Sequence, residues 1–401
     1  MGGSIMASTI NSDTSNGLIL TPDTTGEIEL QSAGVTKAKI TSSGLQNASG
    51  SAITSQAGQN LIINGDMAIA QRATSVTGIT TGNTYRTVDR WKSDVITSGT
   101  WTQTQDTDVP LGQGFAESLK MDCTTANTSV GANDRVLLGQ RFEGFNVQTL
   151  AKGTSAAKPV TLSFWVKSNK TGTYIVELFD SPNGRQISKS YTISVADTWE
   201  KKTITYEGDT SGVFPNNNSL TLLVQFWLAV GSTYTSGTLN TSWAVNDNAN
   251  RAVGQVNLAD STSNYINITG VQLEVGTTAT PFENLQYGQQ LALCQRYYQQ
   301  YGSSSTTPIG AGVWFTTTQV LGLLTFPVIM RTAPTITTTG TGWIKAYRDG
   351  SSNATGSGFF DSIANHSARF NMSGWSVAGT AGMGAYLQLI ADKYIFISAE
   401  L

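Results

Sequence analysis

The chain has 401 residues, of which 39% are hydrophobic and only 13% are charged, and its formal net charge is −3. This balance argues against nucleic-acid binding, which needs a basic face, and no apolar run reaches the ~18–20 residues of a membrane span. The 41 glycines, with abundant Ser, Thr and Asn, are typical of many short strands joined by polar turns. We expect a mainly β protein of two or three domains.

Residues 1–58 alternate apolar and polar residues in short bursts. Ile28 and Leu30 share one face of the first burst, and Ala38 and Ile40 share one face of the next. Strands this short and poor in apolar area do not fold alone. The segment is therefore either a disordered linker or a stem that packs against copies of itself, and the regular alternation favours the stem.

Residues 59–280 contain strong strand candidates, among them "VTLSFWVKS", "TYIVELFD", "SLTLLVQFWLAVG" and "NYINITGVQLEVG". In the first of these, Leu162, Phe164 and Val166 lie on one face. Polar turns such as "SPNG" and "NNNS" separate the runs, without a helix between them. This spacing favours a β-sandwich.

Residues 281–302 carry the one helix signal. Pro281 stands where a helix would begin, Gly302 where it would end, and an apolar stripe follows helical spacing through Leu285, Leu291, Cys294 and Tyr298. Residues 303–401 return to β-structure with runs such as "VLGLLTFPVIM" and "KYIFISAEL".

Two residue types limit the chemistry. The two cysteines, Cys123 and Cys294, are too few for a structural zinc site with its about four ligands, and we expect free thiols in a reducing compartment. The single histidine, His366, is the only one that a Ser-His-Asp or Cys-His arrangement could use. Because no nucleophile elbow is present, we interpret it as a polar loop residue.

Four motifs in a fixed order resemble those of bacteriophage tail-fibre and receptor-binding proteins. They are "NLIINGDMAIAQR" at 60–72, "TVDRW" at 87–91, "GVQLEVGTTATPFE" at 270–283 and "LCQRYYQQY" at 293–301. The C-terminal "FPVIMRTAPTI" and "YIFISAEL" resemble the distal domain of the same proteins. One departure is Met67, where the family often has an aromatic residue.

The resemblance implies a four-part chain. Residues 1–58 would be an N-terminal attachment stem, 59–280 a jelly-roll β-sandwich similar to carbohydrate-binding modules, 281–302 a helical junction and 303–401 a distal β-domain. It also implies a virion protein, folded in the host cytoplasm, that binds other virion proteins through its stem and bacterial surface glycans elsewhere. Such a protein needs no enzyme chemistry, organic cofactor, nucleic acid or membrane insertion.

The helix suggests a homotrimer. Three copies would meet at the fibre axis through Leu291, Arg296, Tyr297 and Tyr298. The alternative is a helix that caps the sandwich of its own chain.

Glycan recognition needs flat apolar rings against sugar C–H groups and polar side chains for hydroxyls. Aromatic residues beside Gly, Ser or Thr, or in a polar loop, are the candidates: Trp101, Tyr234, Trp243, Trp343 and Trp375. Asp66 and Glu274 are candidate ligands of a structural calcium ion, which prefers oxygen donors. Asp89 and Arg90 are expected to form a buried neighbourhood that fixes the first strands.

Two other functions stay open. A tailspike that cleaves polysaccharide would need two carboxylates about 5–9.5 Å apart, but the chain is short for the long β-helix of such enzymes. A head fibre or capsid decoration protein would use the same modules in a structural role.

Overall fold

The computed structural model describes residues 28–32, 35–41, 44–47, 60–348, 351–375 and 378–401. The chain divides into two compact units, residues 1–58 and 59–401. Within the described residues, the sequence is mainly β, with one α-helix, which confirms the predicted fold class. None of the described helices is long and apolar enough to span a membrane.

The first unit contains a three-stranded antiparallel sheet, in the order β1 (Ile28–Ser32), β2 (Val35–Thr41) and β3 (Gly44–Asn47). Its register pairs Ile28 with Ile40 and Leu30 with Ala38, so the predicted apolar pairs lie opposite each other. Leu30, Val35 and Ile40 remain 45%, 55% and 39% exposed. Strand alternation was thus predicted correctly, but the sheet encloses no core of its own among the described residues.

The second unit begins with an 11-stranded antiparallel sheet in the order β11-β8-β14-β6-β5-β7-β12-β9-β10-β13, with β4 paired to β5. Its strands are β4 (Ser75–Tyr85), β5 (Lys92–Asp106), β6 (Ser118–Thr125), β7 (Arg135–Glu143), β8 (Val160–Ser168), β9 (Gly172–Asp180), β10 (Arg185–Ile193), β11 (Glu200–Tyr206), β12 (Leu220–Val230), β13 (Ala244–Val245) and β14 (Tyr265–Val275). Four short 3-10 helices lie at Gly144–Leu150, Ser232–Tyr234, Asn248–Asn250 and Leu258–Asp260.

The long strand β5 turns this sheet into a sandwich. Its first residues, 92–96, pair with β7, whereas residues 100–106 pair with β6. Between these halves Thr97 and Gly99 have φ of 51° and 76°, the left-handed region that bends a strand. A Cβ on Gly99 would lie 2.6 Å from the Thr125 oxygen. The bend therefore carries the two ends of one strand into two facing sheets.

One apolar core fills the space between the facing sheets. Phe164 of β8 meets Phe226 of β12 with ring centroids 5.0 Å apart, and it meets Tyr191 of β10 at 5.1 Å. These strands are separated in the hydrogen-bonded order, so the contacts pass across the sandwich. Leu162, Phe164 and Val166 all lie in this core, as their alternation predicted.

The helix is shorter than predicted. α1 spans Tyr287–Gln295 and begins with a capping box between Gln286 and Gln289. Pro281 and Gly302 therefore do not bound it. The residues that follow form β15 (Tyr298–Tyr301), because they pair with β23 (Ile395–Ser398) almost 100 residues later. This long-range pairing overrides the local helical pattern.

The C-terminal part contains a closed six-stranded barrel in the order β16-β17-β21-β20-β19-β22 and a small sheet in the order β15-β23-β18. Its remaining strands are β16 (Thr307–Trp314), β17 (Val320–Thr325), β18 (Thr335–Thr338), β19 (Ile344–Arg348), β20 (Ser351–Asp361), β21 (Ser367–Ser373) and β22 (Gly384–Leu389). A second apolar core around Trp314, Phe370 and Leu387 fills the barrel.

Buried ion pairs join the sandwich to the C-terminal part. Arg72 and Arg90 both pair with Glu400, Arg72 at 3.0 Å. Their guanidinium carbons lie over the rings of Tyr298 and Tyr297, at 3.6 and 3.5 Å. Asp89 and Arg90 are each 1% exposed, which confirms the buried neighbourhood expected from the sequence.

Candidate functional site

A small open groove lies on the outer face of the sandwich, across β5, β7 and β12. Alternation in each strand sends one set of side chains into the core and the next set into the groove. Thus Val95, Leu138 and Val224 have their side chains in the core. The groove is lined by side-chain or backbone atoms of ten residues: Asn83, Lys92, Asp94, Leu137, Gly139, Gln140, Arg141, Leu223, Val224 and Gln225.

Gly139 forms the floor. It lies opposite Lys92 on one neighbouring strand and opposite Gln225 on the other. Its missing side chain leaves a depression between them. A Cβ at this position would lie only 2.2 Å from the Val224 oxygen, so the close pairing of β7 with β12 also requires glycine here. Leu137 and Leu223 add an apolar part to the lining.

The walls of the groove contain two cationic side chains, Lys92 and Arg141, and the carboxylate of Asp94, which is paired with Arg135. Arg141 donates from Nη1 to the Leu401 backbone oxygen at 2.9 Å and from Nη2 to Oδ1 of Asn83 at 3.4 Å. Asp94 accepts a hydrogen bond from Nε of Arg135 at 2.8 Å. Burial, followed by the nearby Arg141 guanidinium, lowers the pKa of Lys92 to about 8. A titratable group shifted towards neutral pH in a groove is a frequent mark of a functional site.

A partly buried arginine, Arg251, holds Gln225 in place. Arg251 donates to both carboxylate oxygens of Glu177 at 2.9 Å and to Oε1 of Gln225 at 3.0 Å. Its guanidinium carbon lies 4.9 Å from the Phe179 ring centre and 5.2 Å from that of Trp227. Because Arg251 occupies Oε1, the amide group of Gln225 has a fixed orientation towards the groove lining.

The aromatic residues predicted to be exposed fall into two groups. Trp101 and Trp343 are fully buried in the sandwich and barrel cores, and Tyr234 is 7% exposed. The prediction of exposed rings is wrong for these three, because small polar neighbours mark bends that the rings pack over. Trp101 donates to the Ser98 oxygen at 2.7 Å. Trp243 and Trp375 are half-buried against the same two cores.

Tyr234 nevertheless lies near the groove. Its hydroxyl accepts a hydrogen bond from Nη1 of Arg135 at 2.8 Å, and Arg135 in turn holds Asp94. None of the five predicted aromatic residues lines the groove, and Trp243, Trp343 and Trp375 lie apart from it in the structure.

The residues predicted for a trimer junction form contacts within their own chain. Arg296 donates to both oxygens of Glu143 at 2.7 and 2.8 Å, and the Tyr297 hydroxyl donates to Glu143 at 2.8 Å. Tyr297 and Tyr298 are buried, and Leu291 packs against a small cluster that includes Ile63 and Tyr297. This agrees with the alternative of a helix that packs on its own sandwich.

The two candidate calcium ligands have protein partners. Oδ1 of Asp66 accepts from Gln290 at 2.7 Å. Glu274 is buried and accepts from the backbone and hydroxyl of Thr280 and from Gln272. In the part of the chain that the structure describes, no group of three or more His, Cys, Asp or Glu residues is arranged to hold a metal ion. Cys123 and Cys294 are free, as predicted, and both are buried.

The sequence analysis did not identify the residues of the groove as a site. Lys92 and Asp94 alternate with buried Ser93 and Val95, so the pattern "WKSDV" contained a signal for two polar side chains on one outer face. Alternation does not give the register between strands, however, and only the register brings these residues beside Gly139 and Gln225.

No protein-family model and no curated protein matches this chain. Among solved structures, it is similar to the enzymatically active domain of tailspike protein 4 of bacteriophage CBA120, with 14% identity and a TM-score of 0.30 over 54% of this chain and 22% of that one. It is also similar to the C-terminal family 22 carbohydrate-binding module of Clostridium thermocellum Xyn10B, with 13% identity and a TM-score of 0.27 over 51% of this chain and 96% of that one.

A third similar structure is the family 11 carbohydrate-binding module of Clostridium thermocellum in complex with a β-1,3-1,4-mixed-linked tetrasaccharide, with 12% identity and a TM-score of 0.25 over 52% of this chain and 99% of that one. This chain spans about a fifth of the length of the tailspike chain. TM-scores of 0.25 to 0.30 support no inference about the activity of this chain.

Proposed function

We propose that this chain is a bacteriophage fibre protein that binds a glycan of the host surface in the groove, without cleaving it. The supporting observation is the groove itself, which combines polar side chains fixed on a rigid sheet with an apolar patch. The phage origin and the virion location rest on the motif resemblance.

The composition of the groove favours binding over hydrolysis. Glycoside hydrolysis uses two carboxylates. Asp94 is the one carboxylate among the ten residues that line this groove in the described structure, and Arg135 engages it as an ion pair. The groove therefore offers hydrogen bonds to hydroxyls but no second acid to act as a nucleophile or base.

The direct test blocks the groove. Asn83 is exposed on its rim, so Asn83→Trp should fill the groove without disturbing the core. Thr203→Trp is the matched control, because Thr203 is an exposed residue on β11, in the other sheet of the sandwich. On a glycan array, we expect the unmodified protein and T203W to bind the same glycans and N83W to lose them.

Equal binding by N83W would place the glycan elsewhere and overturn the groove assignment. Release of shorter saccharides during the incubation would instead favour the tailspike alternative. Immunogold labelling of the parent particle with antibody to residues 303–401 tests the location. Gold at the tail supports host attachment, whereas gold over the capsid favours a head fibre or decoration protein.

We propose further that the fibre is a homotrimer. The exposed Leu30, Val35 and Ile40 of the first unit support self-association, because a three-stranded sheet without its own core needs a packing partner. Light scattering of the full chain should give three times the chain mass of 42.6 kDa. A monomeric mass at micromolar concentration contradicts the trimer and leaves the groove proposal standing.

A further inference from the structure

We infer that the groove takes the end of a glycan chain rather than a segment from the interior of the chain. The inference rests on the proposed function and deepens it, because it states which part of the host glycan the protein recognises. The carrying observation is that the groove is closed on three of its four sides.

The first closed side faces the C-terminal part of the protein. Glu143 is the next outward-facing residue of β7 after Arg141, and it is covered. Arg296 donates to both of its carboxylate oxygens at 2.7 and 2.8 Å, and the Tyr297 hydroxyl donates to it at 2.8 Å. The Leu401 oxygen lies beside Arg141 and accepts a hydrogen bond from it at 2.9 Å. A sugar chain that lies along β7 therefore meets protein atoms directly beyond Arg141.

The opposite end is filled by the segment between β12 and β14. Tyr234 and Ala252 of this segment form a small buried core with Leu137 and Trp227, and the rings of Trp227 and Tyr234 have centroids 5.3 Å apart. The Tyr234 hydroxyl also accepts a hydrogen bond from Arg135 at 2.8 Å. Arg135 is the outward-facing residue of β7 that precedes Leu137, so a sugar chain cannot continue along β7 in this direction either.

The third side, towards β9, is closed by Arg251. Its guanidinium donates to both oxygens of Glu177 at 2.9 Å and to Oε1 of Gln225 at 3.0 Å, and so bridges β9 and β12 above the sheet. Gln186 on β10 donates in turn to the Asp247 backbone oxygen at 3.2 Å. In the described structure, β12 is therefore the last strand that lines the groove on this side.

The fourth side, over β4, is open. Among the described strands β4 pairs with β5 alone, and Thr81 and Asn83 on its outward face are exposed. Nη2 of Arg141 reaches Oδ1 of Asn83 here, but at 3.4 Å, beyond the ~2.7–3.2 Å of a good N–H···O bond. From β4 to β12 the groove crosses three strand spacings, or ~14 Å. An extended chain that passes through a site needs two openings, whereas this groove has one, so it accepts a short terminal segment.

Two side chains of the groove can recognise a chain end chemically. Oε1 of Gln225 is held by Arg251, whereas its Nε2 makes no hydrogen bond with the described residues. Oδ2 of Asp94 accepts from Arg135, whereas its Oδ1 has no donor among them. A terminal sugar residue carries a hydroxyl where an interior residue carries a glycosidic oxygen, which accepts hydrogen bonds but donates none. Because an ionised carboxylate only accepts, Asp94 can bond to the terminal hydroxyl and not to the glycosidic oxygen.

The test compares unbranched glycans of one linkage that differ in the number of chain ends per sugar. The probes are trigalacturonate with polygalacturonate, a hyaluronan hexasaccharide with hyaluronan, and maltoheptaose with β-cyclodextrin, a ring of the same residues without an end. Calorimetric titration of the full chain should show binding of at least one short oligosaccharide. Its polymer should bind equally per chain end and more weakly per sugar residue, and the ring should not bind. Borohydride reduction of the bound oligosaccharide then distinguishes the ends, because it opens the sugar ring at the reducing end alone.

A variant places the chain end in the groove. Gln225→Ala should weaken binding of the short oligosaccharide by about 3- to 10-fold, as expected for the loss of one hydrogen bond. Thr203→Ala is the control, because Thr203 is exposed on β11, in the other sheet of the sandwich. Unchanged affinity of a folded Q225A would contradict the contact with Gln225, and the comparison of short and long glycans on the unmodified protein does not depend on this variant.

Three outcomes overturn the inference: equal affinity per sugar residue for a short glycan and its polymer, binding of β-cyclodextrin as tightly as maltoheptaose, or binding of none of the probes. N83W separates these outcomes from failure of the proposed function. If N83W abolishes binding of a polymer that binds equally per sugar residue, the groove remains a glycan site that takes chain interiors. If N83W leaves all glycan binding unchanged, the proposed function itself fails.

Discussion

Replacing Glu143 by glutamine should destabilise the second unit by about 3 kcal/mol. Glu143 ends β7 and is completely buried, whereas its partner Arg296 is 30% exposed. Removing one partner of a buried ion pair costs about 3–5 kcal/mol. We expect the lower end because Arg296 can regain water when its partner is lost, and because the glutamine oxygen can still accept from Tyr297.

The pKa of Glu143 also indicates that its ionised carboxylate stabilises the fold. Burial raises this pKa, but the hydrogen bonds from Arg296 and Tyr297 more than offset it, so the net pKa lies below its ordinary value. A carboxylate with a lowered folded-state pKa stabilises the fold above its unfolded pKa of about 4.3. This contribution is lost as the pH falls through the folded-state value, and it should be absent in E143Q.

A double-mutant cycle isolates the pair. E143Q, R296Q and the double variant are compared by urea unfolding at pH 7, followed by tryptophan fluorescence and circular dichroism. The two probes must give coincident transitions before midpoints are converted to free energies. We expect a coupling energy of about 1.5–2 kcal/mol. A coupling below about 0.5 kcal/mol would mean that this pair is worth no more than an exposed one, which would refute the reasoning.

Two further predictions concern the core and the groove floor. Phe226→Ala should lower the free energy of unfolding in urea by about 3–5 kcal/mol, because it empties part of the core. Val313→Ala, at a position that is 39% exposed, should lower it by less than about 0.5 kcal/mol. Equal losses for the two variants would contradict the packing described for the sandwich. Gly139→Ala should lower the midpoint of thermal unfolding and abolish glycan binding, because the new Cβ would clash with the Val224 oxygen. Gly288→Ala is the control and should change neither, because a Cβ at that position meets no atom within 4 Å.

The sandwich was predictable because its information is local. The alternation of Leu162, Phe164 and Val166 gives a buried face whatever strand lies beside it. The helix was overestimated because residues 296–302 carry a helical apolar pattern, while their partner strand lies at Ile395–Ser398. Pairing over such a sequence distance leaves no local signal.

The residues of the groove were harder to predict for a related reason. Trp101 and Trp343 stand beside glycine, serine or threonine, which resembles an exposed loop in the sequence, yet both rings are buried. Gly99 provides the bend next to Trp101. Lys92 and Arg141 are ordinary strand residues that meet only through the register of β5 with β7. Small polar neighbours were therefore a poor guide to the exposure of a tryptophan ring.

The position of β23 has a consequence for synthesis. Residues 395–398 provide the common partner of β15 and β18, and Glu400 provides a carboxylate for Arg72 and the buried Arg90. A ribosome makes these residues after all the elements that they join. A chain interrupted before Ile395 would leave Arg90 without its carboxylate and two strands with open edges, so incomplete products should be more open to proteolysis than the full chain.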